Sequence, residues 1–235
     1  NRIRPKGAPD MGKLHLVLLA GGKGLRAGCV DQPPKQFRTT GRGLLFTVSL
    51  EAFHRIPSGV ASITITVPGA WREVAAAAVS DRSSQLAAAG STRTQSTWNA
   101  LTLLAERNPD PDDLVAIHDA ARPFAGAELL ARLVAAADES GAAVPGIPVA
   151  DTIVQKDGKY LDRSQLVAVQ TPQVFRWDLL YPAHAWASAE GAEFTDDGGL
   201  LASRGHDPVV VAGDVKNWKV TTEGDWLRAL ELLGS

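Results

Sequence analysis

The sequence predicts an α/β fold: a mostly parallel central sheet, helices on both faces, and a β-hairpin arm. Three observations carry that prediction. Apolar runs rich in valine, isoleucine and leucine alternate with longer amphipathic patterns, as expected of parallel strands joined by crossover helices. The runs are continuous rather than alternating, so the strands are buried on both faces. One stretch, 148–173, breaks the rhythm with two short alternating runs around Asp157-Gly158, a hairpin signature.

Strands are predicted at 14–19, 60–67, 114–118, 142–149 and 208–212. Helical patterns lie near 44–55, 70–79, 93–106, 126–140, 176–188, 195–204 and 222–233, several of them alanine-rich and amphipathic. A lone hairpin is marginal in water, so the arm must pack on something, and a second subunit is the natural surface. The chain reads as one domain over 13–235, and residues 1–12, NRIRPKGAPDMG, as a leader or expression remnant outside the fold.

Composition narrows the function. With 45% hydrophobic residues, 21% charged residues and a net charge of −2, the chain has no global basic field to hold nucleic acid. Any anion must be met locally. Cys29 is the sole cysteine, which excludes an internal disulfide and a cysteine zinc site and suits a reducing cytoplasm. No apolar run approaches the roughly 20 residues needed to cross a bilayer, so the expectation is a soluble protein with no membrane partner.

The most informative segment is LVLLAGGKGLRAGCVDQPPKQF, from Leu16 to Phe37. An apolar strand runs into glycines 21, 22 and 24, which let backbone N–H groups approach an anion. Arg26 and Lys35 add mobile positive charge. Gly22, Gly24 and Ala27 match a dinucleotide-loop spacing, but Pro33 and Pro34 leave no room for the long helix such a loop must open. A Walker loop ends in G-K-[ST], and this one reads Gly28-Cys29-Val30. The plain alternative is a tight turn after a buried strand.

In open sheets, ligands collect beyond the carboxyl ends of the strands. His118-Asp119-Ala120-Ala121-Arg122-Pro123 sits there, with a carboxylate able to hold Mg²⁺; the alternative is Asp119 as a helix N-cap. His118 has no second histidine nearby and reads as a packed, hydrogen-bonded residue. Gly90-Ser91-Thr92-Arg93-Thr94-Gln95-Ser96 resembles an anion-binding helix start, or ordinary capping by Ser91 or Thr92. Lys219, in NWKVTT, gains interest only in the company of Arg26, Lys35 and Arg122. Thr195-Asp196-Asp197 opens a helix, and capping accounts for it.

Taken in order, LAGGKGLR, PPKQF, GSTRTQS, IHDAARPF, PVADTI, LDRSQL, VQTPQVF, TDD and NWKVT resemble the methylerythritol-phosphate cytidylyltransferases of non-mevalonate isoprenoid synthesis, over residues 14–230. The resemblance implies a three-layer, Rossmann-like nucleotidyltransferase fold and a homodimer whose hairpin arms interlock. It implies that CTP and 2-C-methyl-D-erythritol 4-phosphate are joined, with Mg²⁺, into 4-diphosphocytidyl-2-C-methyl-D-erythritol and pyrophosphate. Position by position, Arg26 and Lys35 match the basic pair on the triphosphate and Lys219 a further lysine near the phosphates; these are the catalytic expectations. Ala20, Gly21, Gly22, Gly90, Ser96, Asp119 and Ala120 match nucleotide-contacting positions, and Asp119 also the metal position. Arg122, Thr152, Arg163, Thr171 and Thr195 match the polyol-phosphate side, with Thr152 and Arg163 reaching the neighbouring subunit from the arm.

Three departures stand out. The segment between Thr152 and Arg163 is short for an arm; Gly198 and Gly199 stand where better helix formers are expected; and Lys216 leaves a second metal carboxylate unassigned, with Asp214 a weak candidate. A sister family acting on ribitol 5-phosphate shares the loop and the aspartate, but tends toward serine and valine where this chain has Ala120 and Ala121. A non-catalytic nucleotide sensor is the reading from another class. The full cationic set argues against it, because clustered like charges repel one another in an empty site.

Overall fold

The computed structural model describes residues 12–22, 33–56, 59–79 and 83–234. The chain begins with β1 (Leu14–Leu19), a short hairpin of β2 (Thr39–Thr40) and β3 (Gly43–Leu44), and α1 (Leu45–His54). Then come β4 (Ser62–Val67), α2 (Arg72–Ala78), β5 (Ser84–Ala88), α3 (Arg93–Ala105), β6 (Leu114–Asp119), α4 (Ala127–Ser140) and β7 (Ala142–Pro148). A small hairpin, β8 (Ile153–Val154) and β9 (Tyr160–Leu161), precedes β10 (Val167–Val169) and β11 (Gln173–Arg176). The chain closes with α5 (Trp177–Glu190), α6 (Asp197–Ser203), β12 (Val209–Ala212) and α7 (Glu223–Leu233). Among the described residues, no helix is long and apolar enough to cross a membrane.

Every predicted strand and helix is present, and the predicted strands all run parallel. β1 lies between β4 and β6 in parallel register, β4 pairs in parallel with β5, and β12 pairs in parallel with β7. Three strands of the large sheet differ from the prediction. β5 reads SQLAA, with no β-branched residue to announce it. β11 is a four-residue strand inserted antiparallel between β6 and β7. The run at 167–169, read as the returning half of the hairpin, instead pairs antiparallel with the end of β7 as β10. Only Ile153–Val154 and Tyr160–Leu161 pair around the Asp157-Gly158 turn, and none of residues 150–169 is buried.

The continuous apolar runs follow from burial on both faces. On β1, Leu16 and Leu18 join one core while Val17 joins the other; on β6, Leu114 and Ala116 oppose Val115 and Ile117 in the same way. The first core continues into Phe46, Phe53 and Leu130, from α1 and α4. The second continues into Leu101, Leu180 and Leu200, from α3, α5 and α6. Helix α7 packs on α1 through Trp226, Ala229 and Leu233 against Leu45 and Val48. A capping box starts α7: the Thr222 hydroxyl accepts from Asp225 N, and the Asp225 carboxylate from Thr222 N.

Register decides where the chemistry can lie. Leu19 at the end of β1 is paired with Asp119 at the end of β6. The next residues are pinned as well, Ala20 N to the Thr66 carbonyl at 3.0 Å and Ala120 N to the Leu19 carbonyl at 3.1 Å. The glycine loop and the His118–Pro123 segment therefore leave the sheet side by side.

Candidate active site

A cleft of about 260 Å³ opens at this edge, lined among others by Gly21, Gly22, Gly90, Arg93, Asp119 and Lys219. Its floor is braced from below by Gln36, whose amide donates to the Ala20 and Gly22 carbonyls at 2.8 Å each. Gly21 is required by close approach: a Cβ there would stand 2.7 Å from the Ala89 Cβ. On the opposite wall the Ser96 hydroxyl accepts from Gly90 N at 2.9 Å and donates to the Thr92 carbonyl at 2.8 Å. That bond fixes the turn from β5 into α3. Thr92 caps the helix, accepting from Gln95 N at 3.2 Å, so capping and cleft wall are the same piece of chain.

Asp119 is the electrostatic centre. Its carboxylate lies 2.7 Å from the Lys219 ammonium, 3.8 Å from Arg93 Nε and 4.0 Å from Arg122 Nε. Burial alone would raise this carboxyl, but Lys219 foremost, then Arg93 and Arg122, hold it down at about 2. It caps no helix. Its backbone N–H donates to the Thr171 hydroxyl at 3.0 Å, and that hydroxyl lies 3.2 Å from His118 Nδ1. His118 Nε2 lies 3.0 Å from the Arg122 carbonyl, which can only accept, so the proton is on Nε2 and Nδ1 accepts from Thr171. Burial foremost pushes His118 down to about 4. It is the packed, hydrogen-bonded residue the sequence predicted.

Lys219 is aimed by a pinned loop. Arg122 Nη1 donates to the Asn217 carbonyl at 2.8 Å, the Gln170 amide to the Asp214 carbonyl at 2.9 Å, and the Asn217 amide to the Thr171 carbonyl at 2.8 Å. Asp214 closes a turn by accepting from Lys216 N at 2.8 Å. Lys35 is buried, and its ammonium donates to the Thr221 carbonyl; desolvation foremost lowers its pKa. It therefore braces the strand of chain that carries Lys219. Ala20 and Ala120 are buried and offer backbone only. Thr152, Arg163 and Thr195 are exposed, and the Arg163 guanidinium donates to the Ala150 carbonyl. Arg26 lies outside the described residues.

A family model described as "IspD: 2-C-methyl-D-erythritol 4-phosphate cytidylyltransferase" matches residues 14–235. The chain belongs to this family. It is 40% identical over 220 residues to a bifunctional IspD/IspF enzyme of Rhodopseudomonas palustris, covering 90% of this chain and 54% of that protein. It thus spans about half the length of the curated relatives it matches. Among solved structures, the 2-C-methyl-D-erythritol 4-phosphate cytidylyltransferase of Thermus thermophilus superposes with a TM-score of 0.74 at 30% identity, over 95% of this chain and 100% of that one. The Francisella tularensis enzyme does so with a TM-score of 0.78 at 27% identity, over 92% and 98%.

Two residues of this cytidylyltransferase-family cleft carried no role in the sequence reading. Gln36 follows the two prolines without any pattern of its own. Arg93 is the first residue of α3, where the helix dipole disfavours a cation. That misfit was the available signal. Its cause is the ion pair that Arg93 makes with buried Asp197 at 2.7 Å. Asp119 is the single carboxylate lining the cleft, and the described residues hold no group of three ligands for a metal. Such a donor set fits Mg²⁺, which takes one or two carboxylates together with substrate phosphates.

Proposed function

We propose that the chain transfers CMP from CTP to 2-C-methyl-D-erythritol 4-phosphate, releasing pyrophosphate. The observation that carries this reading is the Asp119 carboxylate ringed by Lys219, Arg93 and Arg122 in a cleft beside the glycine loop. Cations from three separate segments meet there without a matching excess of acids, which suits a polyanion. A phosphomonoester oxygen attacks the α-phosphorus in line; the new P–O bond forms as the bond to pyrophosphate breaks. No general base is needed, because the second pKa of a phosphomonoester is about 6. The work of the protein is to hold two anions in line and neutralise their charge.

Arg26, Lys35 and Lys219 are assigned to the triphosphate. Gly21, Gly22, Gly90 and Ser96 shape the nucleotide wall, with Ala20 and Ala120 presenting backbone. Asp119 would hold Mg²⁺, which supplies charge neutralisation on the triphosphate when bound. Arg122 and Thr195 are assigned to the polyol phosphate, and Thr171 to the same side through its hold on Asp119. Thr152 and Arg163 are assigned to the site of a second subunit. In support of a homodimer, Val154, Tyr160, Val167, Val169, Val209 and Val210 are all exposed on the hairpin and the neighbouring strands, an apolar surface that pairing would cover. A cytoplasmic location is part of the same proposal.

Pyrophosphate release from CTP, measured separately with methylerythritol phosphate and with ribitol 5-phosphate, tests the reading. Turnover with the first alone is expected. Turnover with ribitol 5-phosphate alone would move the chain to the sister activity, and CTP binding without turnover on either polyol would leave a sensor.

A further inference from the structure

Behind the cleft wall lies a buried carboxylate, Asp197, that the reaction as described does not use. Asp197, on the first turn of α6, faces Arg93 Nη2 at 2.7 Å through one oxygen and His184 Nε2 of α5 at 3.0 Å through the other. Both Asp197 and His184 are 1% exposed, whereas Arg93 is 23% exposed and reaches the cleft. Burying an ionised carboxylate is costly unless it is paired, so this one must keep its partners. Burial would raise the Asp197 carboxyl, but the Arg93 charge, followed by the His184 contact, holds it well below the usual carboxylate range.

The surrounding sequence is built to deliver Asp197 there. Asp196 caps α6 by accepting from Gly199 N at 2.8 Å. Gln173 clamps the same turn, its amide donating to Asp196 at 2.7 Å and its carbonyl oxygen accepting from Gly198 N at 3.1 Å. A Cβ on Gly198 would lie 2.9 Å from Val144 Cγ1; glycine lets α6 settle on β7 and carry Asp197 into the core. The weak helix former in DDGG thus has a reason. The loop before α6 is also tied to α3, since Phe194 N donates to the Thr94 hydroxyl at 2.9 Å.

We infer that Asp197 is a positioning residue that holds the Arg93 guanidinium at the anion end of the cleft, with His184 fixing Asp197 in turn. Arg93 would otherwise be repelled by the positive end of α3 and by the neighbouring Lys219 and Arg122. Anchored, it becomes a further cation for the phosphates and a second counter-charge for Asp119. This rests on the nucleotide-binding reading above.

The test is a double-mutant cycle on equilibrium CTP binding, read by calorimetry without the second substrate, with thermal unfolding recorded alongside. Arg93→Gln is expected to weaken CTP binding by about 10- to 100-fold, as loss of one charge-assisted contact does. Asp197→Asn is expected to weaken it by about 5- to 20-fold by freeing Arg93. The double variant is expected to bind no more weakly than Arg93→Gln alone, and Arg93→Lys to recover part of the loss in the Asp197 background only. Multiplying losses, or an Asp197→Asn affinity within twofold of the parent, overturns the inference. If Asp197→Asn does not fold, His184→Asn decides: a threefold or greater weakening that disappears in the Arg93→Gln background supports it, and unchanged affinity sinks it. Failure of the parent chain to bind CTP would strike the proposed function instead.

Discussion

Replacing His118 with glutamine should change how the fold responds to acid. The imidazole is fully buried, and its two nitrogens are committed to the Arg122 carbonyl and the Thr171 hydroxyl. Burial pushes it from the ordinary 6.5 to about 4. A histidine depressed in the folded state takes up protons more readily when unfolded, so its stabilising contribution is complete above about 6.5 and is lost as pH falls toward 4. Between pH 7 and pH 5 the unfolded chain gains about 0.7 of a proton at this position and the folded chain about 0.1, a loss of about 2 kcal/mol. For a protein of this size that is roughly 4–8 °C in Tm. Thermal unfolding of the parent and of His118→Gln at both pH values reads the difference, since any baseline cost of the substitution cancels within each protein. The variant should fall by several degrees less than the parent. Equal falls would refute the neutral, buried assignment, and with it the hydrogen-bond chain from His118 through Thr171 to Asp119.

Four further outcomes follow from the cleft. Lys219→Met should lower kcat by about 10²–10³ at saturating substrates, and a change confined to KM would remove Lys219 from the charge-stabilising role. Lys35→Gln should lower turnover by about as much, because it takes away both a cation and the brace on the Thr221 carbonyl; full activity would leave Lys35 purely structural. Gln36→Leu strips a donor from the Ala20 and Gly22 carbonyls, for an expected loss of about 1–3 kcal/mol in unfolding free energy and weaker CTP binding, and unaltered CTP affinity would contradict the bracing of the loop. Chelation of divalent ions should abolish pyrophosphate release and added Mg²⁺ restore it, while turnover that survives chelation would contradict the role given to Asp119.

Local pattern made most of the fold legible. Five of the parallel strands announce themselves because burial on both faces demands unbroken apolar runs, and the seven helices because their period and caps are written in adjacent residues. β5 and β11 were not legible for the same reason: SQLAA and QVFR are too short and mixed to declare a strand, and they become strands only because β4, β6 and β7 supply partners. Within the site, Gly21, Gly90 and Asp119 could be picked from glycine-bearing turns and from chemistry at strand ends, whereas Lys219, seven residues past the end of β12, carried no local signal of its own.

Their meeting could not. Asp119 and Lys219 stand 2.7 Å apart across 100 residues of chain, and Arg93 owes its place to Asp197 on a different helix. Local pattern decides most of the strands and helices and which segments carry charge suited to phosphate, because those properties depend on neighbours a few residues away. Which charges share one carboxylate and which lysine turns toward a carbonyl depends on the folded chain, because Coulomb energy and desolvation depend on distance through space, and that distance is set only once the sheet has assembled.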